Sequence, residues 1–423
     1  MAMPKLSFMT TVGRTRNPQG DARSPYQNCL WEETTMSDKL QRENVFQTPI
    51  DRRRFWQLTK TYGFTALAVT AAGSALFSEQ AVAQTAKEEN ERQKAAKTTM
   101  NLATEYVVGA TRYYPLVQLN LKENIQNLTN GDVYVKLSPG GVLGKGGQLA
   151  SKVQSNTIQA AQHSVSNFAP FAPAIDLINV PYWANTNQKF TNLVTSKTWK
   201  DDVHTKVNEK GFEVLLYLVL DPRTAATRNG FGKVLKTPED MKGMKFRVPG
   251  SKILQQFYRM AGANPTPVAW GETPTAIKEG VADGLDPALV ALYAAGFSGL
   301  LETVSFIKSV EDAQVYSCNL QWLRSLPEST QAGIRTAADI TFQQNLAQVP
   351  ASRAYAMAEM AKGGTKYYAP NEAELQQWKE VTGAQRPEWN DLKIQLAGSL
   401  AKFGAFQEAA ETQGQYYVDD VKG

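Results

Sequence analysis

Cysteine and histidine are almost missing from this 423-residue chain, which contains two of each. Only Cys318 lies beyond the N-terminal leader described below, and a single thiol forms neither an intrachain disulfide nor a cysteine-cluster metal site. No Gly-x-Ser-x-Gly elbow accompanies the two histidines, His163 and His204. The composition therefore argues against a zinc enzyme or a serine–histidine enzyme, and we expect no metal ion and no cofactor.

A concentration of basic charge is missing too. The formal net charge is +5 at pH 7, and part of it comes from the basic leader. The body of the chain is nearly neutral, whereas phosphate binding needs a concentrated basic surface. Nucleic acid is therefore not expected as a partner.

The N-terminal leader has the layout of a secretory signal peptide. A basic stretch, Asp51–Lys60, precedes an uncharged apolar run and the small-residue sequence "AVA", which ends at Ala83. Arg52-Arg53-x-Phe55 resembles the twin-arginine export motif, with aspartate where serine or threonine is usual. A transmembrane anchor is the alternative, but the Ala, Thr and Gly content makes this run a poor spanning helix. We expect export to the periplasm, cleavage after Ala83 and no membrane insertion afterwards.

Residues 1–50 stand apart from the rest of the chain. They show no periodic pattern, and we predict that they are non-native or disordered. Met36 is a plausible start of the natural chain, in which case the first 35 residues do not belong to it. Residues 51–83 are then the signal peptide.

Beyond the leader, strand patterns alternate with amphipathic helix patterns. "DVYVKLS" alternates apolar and polar residues, and "FEVLLYLVL", residues 212–220, is the continuous apolar run of a strand covered on both faces. Helices such as "SKILQQFYRM" lie between the strands, and the short helix in "TPTAIKEG" is predicted to have Thr273 as its N-cap. From Leu326 the chain is nearly all helix. This order predicts open, mostly parallel α/β sheets.

A glycine-rich loop, "SPGGVLGKGGQLA", spans residues 138–150 after one of these strands. A phosphate loop needs four residues between its first glycine and Gly-Lys, and then Ser or Thr. Here three residues separate Gly140 from Gly144, and Gly146 replaces the hydroxyl residue. The sequence favours a glycine turn over a nucleotide site.

His163 and Ser164 are neighbours on a predicted strand. Their side chains point to opposite faces, so they cannot form a nucleophile–base pair there. We predict that His163 is a hydrogen-bonding pocket residue. Cys318, in the apolar run "AQVYSCNL", is predicted to lie in the core.

Arg247 has the position that a ligand-binding arginine needs. It stands near the end of the predicted strand "MKFRV", at the edge where loops form the crevice of an α/β sheet. Its guanidinium can bind a carboxylate through two parallel hydrogen bonds, although pairing with a nearby acid such as Asp240 is the alternative. Arg223 and Arg228, in "DPRTAATR", follow the buried strand 212–220. Several arginines at one crevice, without a nucleophile or a metal set, describe an anion receptor.

Three stretches of the chain resemble one protein family. They contain "GKGGQLASKVQSNTIQAAQHSVSNFAPFAPAIDLINVPYW", "TPEDMKGMKFRVPG" and "AGANPTPVAWGETPTAIKEGVADGLDP". In this order they are similar to the extracytoplasmic solute receptors of tripartite ATP-independent periplasmic (TRAP) transporters, over about residues 100–350. The resemblance implies a periplasmic-binding-protein-like fold, with two α/β domains around a ligand cleft, crossing strands, a long connecting helix and a helical C-terminal tail. We expect a first domain of residues 98–220 with about 313–350, and a second of 221–312 with about 351–423 and the C-terminal helices.

The resemblance also implies roles for individual residues. Arg247 matches the arginine that grips the ligand carboxylate, and Arg223 resembles the second basic residue of the cleft, with Arg228 as its rival. Trp270 falls where the family places an aromatic ring over the ligand. The residues expected to line the first domain's part of the pocket are Glu105, Ser164 and Asn167.

One position departs from the family pattern. The family often has "DGQENP", whose asparagine helps to hold the carboxylate, whereas this chain has "DGLDP" with Asp286 nearest to it. An ionised carboxylate cannot donate a hydrogen bond and repels an anion, so Asp286 is expected to turn away or to accept a bond from a ligand hydroxyl or amine. We therefore favour a monocarboxylate with an apolar or aromatic body. The aromatic residues expected at the pocket are Tyr114, Phe168, Tyr182, Trp183 and Trp270, with core packing as the alternative for Phe168 and Tyr182.

For function, the resemblance implies a periplasmic receptor that captures a small organic acid and delivers it to the membrane subunits of a TRAP transporter. Such a receptor performs no chemistry on the ligand, and we expect it to be a monomer. Two alternatives remain open: an exported α/β enzyme acting on a small carboxylic acid, and a ligand sensor receptor for a membrane kinase.

Overall fold

The computed structural model describes residues 79–108 and 114–420. The predicted upstream segment, with Cys29 and Met36, lies outside the described residues, as does the predicted leader apart from its last five positions. Within this part of the chain, none of the helices combines the length and the apolar character that a membrane span requires. Residues 82–423 form one compact unit.

The β-strands of this unit belong to two sheets. In chain order the strands are β1 (Thr98–Ala103), β2 (Val133–Ser138), β3 (Ala160–Ser164), β4 (Phe212–Leu218), β5 (Ala225–Arg228), β6 (Lys245–Val248), β7 (Asn264–Pro267), β8 (Gly284–Leu285), β9 (Leu301–Ser305), β10 (Gln314–Asn319) and β11 (Lys366–Tyr368). The first sheet has the order β2-β1-β3-β10-β4, and the second has the order β11-β9-β5-β8-β6-β7. We call each sheet with the elements packed on it the first half and the second half of the molecule.

Parallel pairs lie beside antiparallel ones in both sheets. In the first half β1, β2 and β3 are parallel, and β10 runs antiparallel between β3 and β4. In the second half β6, β7 and β8 are parallel, and β5 runs antiparallel between β8 and β9. Each antiparallel strand follows directly from a segment that crosses over from the other sheet. The predicted α/β class is confirmed.

Helices cover the sheets and fill the C-terminal part of the chain. The α-helices are α1 (Glu79–Ala95), α2 (Gln118–Leu128), α3 (Gly147–Gln154), α4 (Val165–Phe168), α5 (Asn187–Thr195), α6 (Lys197–Trp199), α7 (Thr205–Asn208), α8 (Lys252–Met260), α9 (Thr273–Lys278), α10 (Leu289–Ala294), α11 (Leu320–Arg324), α12 (Glu328–Lys362), α13 (Glu372–Thr382), α14 (Asn390–Ala397) and α15 (Leu400–Glu411). Single turns of 3₁₀ helix occupy Pro238–Met241, Trp270–Glu272 and Pro387–Trp389, and a longer one occupies Pro173–Asn179.

Two antiparallel crossing segments, residues 219–224 and 306–313, join the two halves. The backbone N–H of Arg223 donates to the carbonyl of Val310 at 2.7 Å, and that of Asp312 donates to the carbonyl of Asp221 at 3.1 Å. Asp221 has a φ of +86°, which non-glycine residues rarely adopt. Paired segments of this kind form the hinge around which two halves can rotate.

The long helix α12 is fixed to this hinge by side chains. Asn345 donates to the carbonyls of Pro115 and Val219 at 2.8 and 3.1 Å, and its side-chain oxygen accepts from the Val219 N–H at 2.9 Å. About two turns further on, Arg353 binds the Asp221 carboxylate through Nη2 at 2.6 Å and Nε at 2.9 Å. Both side chains therefore bind the segment that follows β4.

Residues 413–420, which we call the C-terminal strap, reach the same place. Asn187 donates to both the Asp221 carboxylate and the carbonyl of Asp419, each at 2.8 Å. Arg353 donates to that carbonyl at 3.0 Å, and the Gln188 side chain donates to the carbonyl of Tyr416 at 2.8 Å. The strap therefore closes over the hinge.

Helix α15, just before the strap, contacts the first half through aromatic pairs. The Phe403 ring lies 4.9 Å from Trp183, and the Phe406 ring lies 5.4 Å from Trp199. The sequence assigns this helix to the second domain, whereas these contacts are with the first half. The limits of the two domains remain a prediction.

Candidate functional site

Loops that follow the parallel strands of both sheets meet between the two halves. In the first half they carry Glu105 after β1 and Lys145 after β2, and in the second half they carry Trp270 after β7 and Asp286 after β8. The contact is close, because a Cβ atom added to Gly271 would lie 3.4 Å from the Lys145 Nζ. Carboxyl ends of parallel strands are where α/β sheets bind ligands.

Arg247 lies at this edge, on β6. It pairs in register with Leu285 of β8 and is 3% exposed. Its Nε and Nη2 donate to one acceptor, the carbonyl oxygen of Val268, at 3.0 and 2.8 Å. Among the described residues no carboxylate lies within ion-pairing distance of it, so three of its five N–H groups have no protein partner there.

Burial makes this cation less stable but does not neutralise it. It lowers the pKa of Arg247 to about 10, against the opposing influence of Asp286. The alternative partner, Asp240, is engaged elsewhere, since it accepts from the backbone N–H groups of Lys236 and Thr237, both at 2.9 Å. At neutral pH the site thus presents a buried, charged guanidinium with unused donors.

The indole ring of Trp270 covers the Arg247 guanidinium. The Arg247 Cζ lies 5.3 Å from the ring centroid, within the range of a cation–π contact. The ring of Phe297 lies 5.8 Å from the indole. Trp270 opens a 3₁₀ turn that leads directly into α9, and so Thr273 is the first residue of α9, with Glu272 at the N-cap. The prediction of Thr273 as N-cap was wrong, and its hydroxyl donates to the carbonyl of Ala269 instead.

Arg223 is held between two aspartates. Its Nη1 lies 3.1 Å from Asp286 Oδ1, and its Nη2 lies 2.6 Å from Asp312 Oδ1. Burial acts to lower the pKa of Arg223, but Asp312 and Asp286 outweigh it, so the pKa lies above its usual value. This guanidinium is committed to the protein and anchors the hinge segment beside Arg247.

Asp286 is fully buried, and only one of its two carboxylate oxygens accepts a hydrogen bond. Its Oδ1 accepts from Arg223, while its Oδ2 has no hydrogen-bond partner among the described residues. Burial raises the pKa of Asp286, although Arg223 and Arg247 act to lower it. Of the two orientations expected from the sequence, neither is decided by these contacts, and acceptance from a ligand donor stays a prediction.

Glu105 brings an acid from the first half toward Arg247. Burial raises the pKa of Glu105, and the Gly146 N–H, Lys145 and Arg247 act to lower it. The carboxyl group is therefore near both cations. We call the six residues around this point the central cluster: Glu105, Arg223, Arg247, Trp270, Asp286 and Asp312.

Ser164 and Asn167 lie beside the glycine loop. The Ser164 hydroxyl accepts from the Asn167 backbone N–H at 3.2 Å and so caps α4. The Asn167 amide lies against Gly146, where a Cβ atom would be 3.5 Å from its nitrogen. Gly146 has a φ of +51°, so glycine suits both the conformation and the contact. Ser164 thus caps a helix, whereas Asn167 lies against Gly146, whose backbone N–H binds Glu105.

His163 is buried in the middle of the first sheet, on β3. Its Nε2 shares a hydrogen bond of 2.9 Å with the Ser317 hydroxyl, and its ring is stacked on Phe168 at 4.9 Å, whereas its Nδ1 has no partner among the described residues. Burial lowers the pKa of His163 to about 3. These contacts lie within the first half, and a place for His163 in the pocket stays a prediction.

Arg228 lies at the opposite end of the second sheet from the central cluster. Its Nε is 3.4 Å from Asp283, which precedes β8, whereas Asp286 follows β8. Because β5 and β8 are antiparallel, Arg223 and Arg228 reach opposite ends of β8. The structure therefore separates Arg228 from the site and brings Arg223 to it.

The predicted aromatic residues divide between core and cleft. Phe168 and Trp183 are core residues, the first against Phe212 and the second donating to the Leu177 carbonyl at 3.2 Å. The Tyr182 hydroxyl donates to the carbonyl of Ile307, on a crossing segment, at 3.2 Å. Burial raises the pKa of Tyr114 well above its usual value, and Tyr106, Asp312 and Glu105 raise it further, which places this phenol near the cluster.

Sequence reasoning missed Asp312, Tyr106 and Tyr258. The signal for Asp312 was the acidic pair Glu311-Asp312 directly before the apolar strand β10, since charged residues beside a buried strand need a partner. Tyr106 follows Glu105 and accepts at 3.3 Å from the Gln314 side chain. Nothing in the local pattern marks Tyr258, which appears as one more apolar position of α8.

Within the described residues there is neither a cluster that could hold a metal ion nor an exposed thiol. Residues 79–108 and 114–420 contain no group of three or more histidine, cysteine, aspartate or glutamate side chains placed to hold a metal ion. Cys318 is buried in β10, as predicted, and burial raises the pKa of its thiol. A surface cavity of about 610 Å³ lies between α5 and α15, and none of its lining residues belongs to the central cluster.

Comparison of the sequence with known families gives one match. The model of the family described as "Bacterial extracellular solute-binding protein, family 7" matches residues 106–391. Among curated proteins, the 2,3-diketo-L-gulonate-binding periplasmic protein of Escherichia coli strain K12 is 26% identical over 214 residues, which are 48% of this chain. The match spans 62% of that relative's length.

Solved structures of similar proteins share the fold. A TRAP periplasmic solute-binding protein from Roseobacter denitrificans, with bound β-D-glucuronate, has a TM-score of 0.67 at 17% identity, covering 75% of this chain and 100% of that chain. A second, from Shewanella oneidensis with bound succinate, has a TM-score of 0.66 at 19% identity, covering 74% of this chain and 99% of that one. At these identities the likeness establishes the fold alone.

Proposed function

This chain belongs to the bacterial extracellular solute-binding proteins of family 7, and from that premise we propose that it captures an organic acid between its two α/β halves. We further propose that it delivers the acid to the membrane subunits of a TRAP transporter. The observation that carries the first proposal is Arg247, a buried guanidinium with no acidic partner among the described residues and with three unused N–H groups. A carboxylate is the ligand that such a fork of donors matches.

Capture follows from the position of Arg247 between the halves. A carboxylate bound to Arg247 also lies near Lys145 and Glu105, which come from the first half. A ligand shifts the balance between open and closed forms only if it contacts both halves, and the closeness of Lys145 and Glu105 to the second half supports such a contact. Closure removes water and lowers the local dielectric constant, which strengthens the ion pair.

The neighbouring residues favour a monocarboxylate with an apolar or aromatic body. Trp270 already covers Arg247, and Tyr182 and Tyr114 supply further ring surface near the crossing segments. A second carboxylate on the ligand would meet Asp286 in a buried setting, where like charges repel strongly. The glucuronate and succinate of the solved structures belong to those proteins and leave this preference open.

Export completes the proposal. The leader, with its Arg52-Arg53-x-Phe55 motif, is proposed to send the folded chain to the periplasm through the twin-arginine route. The family consists of solute-binding proteins, which agrees with a receptor that leaves its ligand unchanged.

A thermal-shift screen of the chain from Gln84, the proposed mature start, tests this function. A carboxylic acid present at 100 times its dissociation constant should raise the stability by about 2.7 kcal/mol. Neutral sugars and amines of similar size serve as the control and should give no shift. If no organic acid in a broad library stabilises the protein, the proposal is wrong. Recovery of a chemically altered acid by mass spectrometry would instead indicate an enzyme.

A further inference from the structure

The unused oxygen of Asp286 bears on which acid the site accepts. Asp286 Oδ2 is buried and accepts no hydrogen bond within the described residues. A buried acceptor without a donor is unfavourable, and more so when it is charged. In solute receptors the ligand itself can supply the missing donor.

Some protein donors near Asp286 are engaged and others are not. Arg223 uses Nη1 for Asp286 Oδ1 and Nη2 for Asp312. Its Nε and the remaining N–H groups of Arg247, by contrast, have no hydrogen-bond partner among the described residues. The Tyr258 hydroxyl competes most directly for Oδ2: it has no well-formed hydrogen bond, but the charge of the Asp286 carboxylate and hydrogen bonding to it add to the effect of burial in raising the pKa of Tyr258. The two groups are therefore neighbours without a well-formed bond between them.

The charges of the central cluster are nearly balanced before any ligand arrives. Arg223 and Arg247 carry two positive charges, and Asp286 and Asp312 carry two negative ones when ionised. Glu105 stands beside them as a further acid. A ligand that brings only negative charge therefore satisfies Arg247 but leaves Asp286 Oδ2 facing an anion.

Arg247 and Asp286 are also close enough to act on one small molecule. Arg247 pairs in register with Leu285, the residue before Asp286. Each side chain shifts the pKa of the other, which places the two charged groups near each other at the same sheet edge. This proximity is what a small acid would need in order to contact both residues.

We infer that the site takes a carboxylic acid that carries a hydrogen-bond donor, an O–H or N–H group, close to its carboxylate, and that Asp286 Oδ2 accepts from this group. The inference rests on the proposed function and narrows its ligand class. Acids without a donor bind more weakly, and a second carboxylate in place of the donor is disfavoured.

Matched acids test the inference in the unaltered protein. Each set contains the unsubstituted acid with its 2-hydroxy and 2-amino forms: propanoate, lactate and alanine; 3-phenylpropanoate, 3-phenyllactate and phenylalanine; succinate, malate and aspartate. Within the set that binds, calorimetry should show a donor-bearing acid binding about tenfold more tightly or better, equivalent to about 1.4 kcal/mol. Equal affinity for the unsubstituted acid overturns the inference and leaves the proposed function standing. If none of these acids and no acid of the broader library binds, both the inference and the proposed function are wrong.

Two variants locate the effect. Asp286→Asn keeps the shape but supplies an N–H donor, so it should weaken the binding of the 2-amino acid and strengthen that of the unsubstituted acid. Tyr258→Phe removes the competing protein donor, so the preference for the donor-bearing acid should persist or increase. If Tyr258→Phe removes the preference while Asp286→Asn keeps it, the donor is recognised elsewhere and the inference is wrong.

Discussion

Replacement of Arg247 by alanine tests the central role of this residue. The variant loses a buried guanidinium whose free N–H groups are proposed to bind the ligand carboxylate through charged hydrogen bonds. Removal of one member of such a pair weakens binding by about 2–5 kcal/mol. At 1.4 kcal/mol for each factor of ten, the dissociation constant should rise by about 30-fold to 4,000-fold.

The same change should have little effect on the unliganded protein. Arg247 has no acidic partner among the described residues, and its visible bonds are the two to the Val268 carbonyl. Loss of those bonds amounts to about 1 kcal/mol, and removal of a buried charge without a counterion offsets part of it. The affinity for the ligand should therefore fall while the free energy of unfolding changes little. Replacement of an arginine with a merely structural role would lower the free energy of unfolding instead.

Isothermal titration calorimetry with the acid found by the screen measures the effect. Arg228→Ala is the matched control, because Arg228 lies in the same sheet but pairs with Asp283 at the other end. It should change the dissociation constant by no more than about twofold, as expected for a half-exposed ion pair distant from the ligand. Arg247→Lys should also bind poorly, since an ammonium group cannot form two parallel bonds. Unchanged affinity in Arg247→Ala, or a larger loss in Arg228→Ala, would refute the assignment.

Two further predictions concern stability. Arg353→Ala leaves the buried Asp221 carboxylate without its bidentate partner, so the free energy of unfolding in urea should fall by about 3–5 kcal/mol. Asp221→Asn in the same background should recover part of the loss. An unchanged midpoint of urea unfolding would contradict the stabilising role of Arg353. Burial lowers the pKa of His163 to about 3 in the folded protein, whereas the ordinary value of 6.5 applies to the unfolded chain. The contribution of His163 to the free energy of unfolding is therefore fully present above pH 6.5 and is lost as the pH falls toward 3. Between pH 7 and pH 5 the free energy of unfolding should thus fall more in the unaltered protein than in His163→Gln. Equal losses would show that His163 has the same pKa in the folded and unfolded states, which contradicts the prediction.

Local pattern was sufficient to place most strands and the key arginine. The continuous apolar run at residues 212–220 became β4, and the alternation around Phe246 became β6 with Arg247 near its end. Such predictions succeed because side-chain periodicity and strand termini are local properties of the sequence. The prediction that Arg247 binds a ligand then followed from the general rule that α/β sheets bind ligands at the carboxyl ends of their strands.

Pairing between distant residues was beyond the sequence. Arg223 binds Asp312, 89 positions later by the printed numbering, and no local signal connects them. The choice between Arg223 and Arg228 depended on the antiparallel register of β5 and β8, which only the folded sheet reveals. The burial of His163 was likewise not visible, since a mixed polar strand such as "QAAQHSVS" gives no sign that all five residues of β3 are buried.

The C-terminal strap offers a way to observe the hinge without touching the solute. Asn187 joins the Asp419 carbonyl to the Asp221 carboxylate, two residues from Arg223. Tyr417, on the same strap, is 81% exposed. An environment-sensitive dye attached at position 417 should therefore register rotation at the hinge as a fluorescence change. In the chain from Gln84, Cys318 is the one cysteine of the sequence that remains, and it is buried, so an engineered thiol at position 417 would be labelled ahead of it and would report the proposed ligand capture optically.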